Sequence, residues 1–201
     1  MKLGHEHKVK RIEMKRLSLM AICLLLNWSA FATEVEGVKL PDTLHVGERV
    51  LVLNGAGVRS MFIFDMYVAA LYLTEKKGSS DEILSSDGGK RIEMHMLREI
   101  SSETLSKSFS KTIRLNLTPA EVAALDVQLK QMSALFSMMS EAKEGDVITM
   151  DYLPGRGTEI SFNDVTIGKV EGAAFNAALL KVWLGNKPVQ ERLKKKLLGG
   201  Q

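Results

Sequence analysis

Hydrophobic residues along the chain recur first at the two-residue period of strands, then at the three-to-four-residue period of helices, and then at both again. Residues 38–44 (VKLPDTL) carry a proline and predict an extended edge segment. Residues 49–53 predict a strand stopped by a turn at Asn54-Gly55-Ala56-Gly57. A second strand is expected over 60–64. A third is expected over 66–74, apolar on both faces and therefore central in its sheet. Ser79-Ser80-Asp81-Glu82 supply caps for a short helix through Leu84. Residues 90–97 (KRIEMHML) alternate charged and apolar side chains, the period of a strand with one wet face.

The middle of the chain reads as helical. Ser101 opens a helix to about Asn116, with Leu105, Phe109 and Ile113 on one face. Thr118-Pro119-Ala120-Glu121 combines an N-cap threonine, a proline at the first helical position and a capping-box glutamate. The helix it starts is expected to run unbroken through Val122, Leu125, Leu129, Met132 and Phe136 to about Met139. Strands follow over 147–153, 158–162 and 165–170, joined by turns at 154–157 and at Asn163-Asp164. A small-residue helix over 172–184 ends at Gly185-Asn186, and a last helix starts at Pro188 and ends at Gly199-Gly200. Strands, helices, strands, helices is an α+β order, not an alternating βαβ one.

The first 32 residues stand apart. Basic residues ending in Lys15-Arg16 precede an apolar run, 17–28, and Ala30-Phe31-Ala32 gives the small-x-small pattern of a signal-peptidase site. A secretory signal peptide over 1–32 is therefore expected, with one domain over 33–201; Met14 begins a second, more typical signal. The apolar run is short for a membrane span of roughly 20 residues, so no stable membrane anchor is expected after cleavage. Removal of 1–32 takes away six Lys+Arg and two Glu, leaving 27 − 6 = 21 basic and 24 − 2 = 22 acidic residues, a net of −1. That balance removes the main electrostatic argument for nucleic acid. The sole cysteine, Cys23, leaves too, so neither disulfides nor thiol chemistry are expected. The destination this implies is the bacterial periplasm or the exterior.

Little else carries chemistry. His45, placed in a loop, and His95, expected to face solvent, are the histidines left, and neither metal nor cofactor is expected. Gly55-Ala56-Gly57 lacks the later glycine of a dinucleotide fingerprint. Lys194-Lys195-Lys196 suits a helix C-terminus. Arg59 is different: a permanent cation beside Met61, Phe62, Ile63 and Phe64 must reach solvent or find an anion. Tyr67 and Tyr72 fall on opposite faces of the following strand, so only one of them shares a given pocket.

The stretch NGAGVRSMFIFDMYVAALYL, residues 54–73, resembles the chalcone isomerase family, whose plant members carry a GAG-x-R turn before an IGVYLE-like strand. Arg98-Glu99-Ile100-Ser101 is similar to the family's R-E-L-S motif, and the likeness returns at 180–185 and 193–199. The resemblance implies an open-faced β-sandwich, a large antiparallel sheet covered by a layer of helices, with a ligand cleft between them. It also implies residue roles. Arg59 matches the arginine that stabilises the substrate's anionic oxygen, and Tyr67 stands where a ketone-polarising threonine is found. Leu105 replaces the helix tyrosine, Thr112 an asparagine seven residues on, and Val182-Trp183 a Thr-Met pair.

Flavonoid cyclisation needs an oriented anion and a stabilised ketone oxygen, and losing one such stabiliser costs on the order of a hundredfold. With only Arg59 retained, most of the family's catalytic set is missing. Non-catalytic members of the fold hold a fatty-acid carboxylate with an arginine and a tyrosine. The resemblance therefore implies a small apolar or carboxylate ligand anchored by Arg59 and Tyr67, in a cleft with Leu105, Phe109, Thr112, Val182 and Trp183. Two rivals stay open: an isomerase or lyase using Arg59 and Tyr67 as catalytic groups, and an interaction protein in which Arg59 pairs with Asp65 or Glu75.

Overall fold

The unbroken apolar run after Asp65 forms a strand buried on both faces, and the rest of the molecule is arranged around it. In a computed structural model describing residues 32–139 and 141–200, this strand is β5 (Phe64–Leu73). Tyr67, Ala69, Leu71 and Leu73 face one core, while Val68, Ala70 and Tyr72 face another. The two tyrosines of this strand thus lie on opposite faces, as the period of two requires. The expected signal segment lies outside the described residues except for Ala32.

Before β5 come β1 (Ala32–Val35), β2 (Val38–Pro41), β3 (Thr43–Val46) and β4 (Arg49–Met61). The expected edge segment 38–44 is thus two strands, and His45 lies in β3 instead of a loop. After β5 come α1 (Ser80–Ser85), β6 (Lys90–Met96), β7 (Ile100–Ser101), α2 (Ser102–Leu115), α3 (Pro119–Ala124) and α4 (Asp126–Ser137). The chain ends with β8 (Glu141–Ala142), β9 (Val147–Leu153), β10 (Gly157–Phe162), β11 (Val165–Val170), α5 (Ala173–Leu184) and α6 (Glu191–Leu197). Seven strands form one antiparallel sheet in the order β11-β10-β9-β6-β5-β4-β3.

The larger core lies between one sheet face and the helices, where Ile92, Met94, Ile148, Met150 and Ile160 meet Phe109, Phe136, Leu179 and Trp183. On the other face the β1–β2 hairpin brings Leu40 onto Val68, Ala70 and Tyr72. The fold is therefore the α+β arrangement read from the sequence, a large antiparallel sheet with a helical layer.

Three further expectations fail, and the expected strand over 60–64 is broken by a turn at Phe62-Ile63. Asn54-Gly55-Ala56-Gly57 is not a turn, because β4 runs straight through it and the chain turns at Phe62-Ile63 instead. The glycines serve helix packing: a Cβ on Gly55 would sit 2.1 Å from the Lys196 carbonyl oxygen, and one on Gly57 2.7 Å from Lys196 Cβ. The helix started by the Thr118 capping box breaks at Leu125 into α3 and α4. Nothing on α3 is buried, whereas Leu125, Leu129, Met132 and Phe136 all are, so the kink turns the apolar stripe inward. The last helix begins at Glu191, after Gln190 as N-cap, and not at Pro188.

Candidate functional site

Arg59 reaches the helical side of the sheet because of one extra residue. Leu51 and Leu53 point to the smaller core, and strict alternation would send residues 55, 57 and 59 the same way. A β-bulge between Leu53 and Gly55 inserts Asn54 and reverses the parity. Gly55, Gly57 and Arg59 then stand opposite Leu71, Ala69 and Tyr67, all of which belong to the helical side. The bulge is fixed by its own side chain. Asn54 is buried, its amide donates to the carbonyls of Leu197 (2.7 Å) and Lys77 (3.0 Å), and its side-chain oxygen accepts from the Lys77 N–H (2.7 Å). The sequence reading missed Asn54 as a positioning residue, since Asn-Gly signals a turn more often than a bulge.

Arg59 and Tyr67 are direct cross-strand partners. They line a cavity of about 60 Å³ with Met61, Met66, Ile100, Thr104, Leu105, Ser108, Phe109 and Val189. Helix α2 supplies Thr104, Leu105, Ser108 and Phe109, which share a face at helical spacing. The R-E-I-S motif is accounted for here: Ile100 lines the cavity, Ser101 caps α2 by accepting from the Thr104 N–H, and Arg98 stacks over the Phe64 ring at 4.4 Å. The Ser60 N–H donates to the Gln190 side chain at 3.0 Å, holding the α5–α6 connection, and with it Val189, against the end of β4.

Tyr67 is buried, and its hydroxyl oxygen accepts from the Trp183 indole N–H at 3.2 Å. Burial pushes its pKa up to about 12, against smaller opposite effects of the Trp183 hydrogen bond and the Arg59 charge. The phenol is thus neutral at physiological pH, and Trp183 occupies its acceptor side. No acceptor for its O–H is present among the described residues. Arg59 is half-buried, and its guanidinium donates to the Ser60 carbonyl. Among the described residues it forms no ion pair: Asp65 accepts from the Ser60 hydroxyl at 2.7 Å, and Glu75 pairs with Lys77.

The other sequence-derived positions divide. Leu105 and Phe109 line the cavity. Trp183 does not line it but closes it from behind, fully buried, with its ring edge-on to Phe109 at 5.3 Å. Thr112 and Val182 are not among the lining residues; the Thr112 hydroxyl donates to the Ser108 carbonyl, and Val182 packs in the core. Met61, Met66, Ile100, Thr104, Ser108 and Val189 were missed as lining residues, and only the α2 spacing of Thr104 and Ser108 with Leu105 pointed to any of them.

A larger hollow of about 560 Å³ lies on the opposite sheet face and includes His45, Arg91, Asp151 and Arg156. Its central charges are matched, with Arg91 paired to Asp151 and Glu93. His95, expected in solvent, is half-buried and bonded to Glu93 at 3.0 Å. Among the described residues no helix is long and apolar enough to cross a membrane.

Residues 32–199 match the family model for chalcone isomerase-like proteins. The chain belongs to the chalcone isomerase-like family. No curated protein sequence matches it. Among solved structures, a fatty-acid binding protein of Arabidopsis thaliana is similar at 14% identity, with a TM-score of 0.69 over 84% of this chain and 96% of that one. At that identity the likeness bears on fold, and it places this chain's sheet and helical layer in the chalcone isomerase-like arrangement.

Proposed function

We propose that this chalcone isomerase-like protein binds a small apolar anion, such as a fatty acid, with its carboxylate between Arg59 and Tyr67. One observation carries the reading. A half-buried guanidinium without a carboxylate partner stands beside a neutral phenol O–H at an otherwise largely apolar cavity. A guanidinium and a phenol both donate, which suits an oxyanion and disfavours a cationic ligand. The fatty-acid binding of the Arabidopsis protein on the same fold supports the choice of ligand.

The cavity of about 60 Å³ holds a carboxylate and little more, well below the roughly 300 Å³ at which drug-sized ligand pockets begin. An acyl chain therefore leaves past Met61 and Met66 or displaces the flexible methionines. The isomerase reading has less support, because Leu105 and Trp183 bring no free hydroxyl and Thr112 is bonded within its own helix. The basic-then-apolar N-terminus and Ala30-Phe31-Ala32 support a periplasmic or secreted site of action. Native mass spectrometry of purified protein tests the binding proposal. Co-purified acidic lipid retained by the wild type and lost in Arg59→Ala is the expected result. Absence of any acidic apolar ligand, even after incubation with fatty acid, overturns it.

A further inference from the structure

The β4–β5 hairpin ends in Met61-Phe62-Ile63-Phe64, four consecutive large apolar residues that are all exposed, with Phe62 at 94% and Ile63 at 88%. Turn formation does not account for them. Phe62 sits at φ 56°, a backbone region that glycine and asparagine enter readily and a bulky residue does not. The β10–β11 hairpin meets the same demand with Asn163 and Asp164, at φ 49° and 63°. One hairpin thus follows ordinary turn chemistry, whereas the other accepts strain and exposed apolar surface together.

We infer that this tip is a membrane-docking element that inserts Phe62 and Ile63 into the interface of an anionic lipid bilayer. Two observations favour a bilayer over a protein. A two-residue turn cannot cover the roughly 800 Å² per partner that a stable protein interface needs, whereas shallow insertion needs only a few apolar side chains. An arginine borders the tip: Arg98 is exposed and stacked over Phe64. Asp65 is the acid nearest in sequence, and it is bonded to the Ser60 hydroxyl. Such a border places the Arg98 guanidinium at headgroup depth, where lipid phosphates accept its hydrogen bonds. Met61 belongs to both the tip and the cavity lining, so a docked tip turns the cavity mouth towards the membrane. The inference stands whether or not Arg59 binds an anion.

Residues 32–201 carry both cores and form one compact unit, so they serve for the test without the apolar N-terminal run. Flotation with phosphatidylcholine vesicles containing phosphatidylglycerol is compared for the wild type and F62G/I63S. The variant places glycine at the positive φ and is expected to melt no lower than the wild type. The expected result is vesicle binding by the wild type, weakened roughly a hundredfold in the variant. Equal binding by both, or no binding by the wild type, overturns the inference. So does tip-dependent dimerisation without vesicle binding, which would assign the tip to a second copy of the chain.

Discussion

The Trp183 indole N–H donates to the Tyr67 hydroxyl oxygen at 3.2 Å, joining α5 to the central strand through the largest fully buried side chain among the described residues. The bond closes the back of the cavity and leaves the phenol proton for the front. Tyr67→Phe leaves the buried indole N–H without a partner, at a cost of ~1–3 kcal/mol. A Tyr67→Phe/Trp183→Phe double-mutant cycle, read by urea unfolding, is expected to give a coupling of ~1 kcal/mol. Strict additivity would show that the bond contributes nothing.

All three tyrosines of the chain, Tyr67, Tyr72 and Tyr152, have raised pKa values, mainly through burial. Tyr67 and Tyr152 are pushed up to about 12. A phenol in the unfolded chain ionises near pH ~10, so over the interval above that pH the unfolded state has lost a proton that the native state keeps. The stabilisation is complete below that pH and falls as pH rises towards the native values. Absorbance titration should therefore show no phenolate in native protein at pH ~10 and its appearance together with unfolding. Phenolate formed near pH ~10 with the fold intact would contradict the burial of these rings.

The Asn54 bulge decides which way Arg59 faces. Asn54→Ala removes both amide donations and the acceptance from Lys77, and is expected to destabilise by ~2–4 kcal/mol in urea unfolding. A loss below ~0.5 kcal/mol would mean the bulge holds without its side chain.

At Gly55 the Lys196 carbonyl oxygen occupies the space a Cβ needs, and a backbone oxygen cannot rotate away. Gly55→Ala should cost ~2–3 kcal/mol in thermal or urea unfolding, because α6 must move off β4. A neutral substitution would show that this packing is loose.

These two positions also show where the sequence was legible. The Thr118 capping box, the two-faced strand 66–74 and the β9–β10–β11 run follow from local chemistry, and they appear where that chemistry puts them. Asn54-Gly55 was misread because a bulge and a turn use the same residues, and only the distant α6 distinguishes them. The real turn was hidden because Phe62-Ile63 carries no turn signal. The Trp183–Tyr67 bond joins residues 116 apart, a distance no periodicity spans. Arg59, Tyr67, Leu105 and Phe109 line one cavity, whereas Thr112 and Val182 are not among its lining residues.

Calorimetric titration of decanoic acid into the wild type and Arg59→Ala tests the central proposal most directly. Saturable one-to-one binding by the wild type, weakened at least ~10-fold by the substitution at unchanged melting temperature, is the result this account predicts. Equal affinity in both proteins, or no binding in either, would contradict Arg59 as the anchor of an apolar anion.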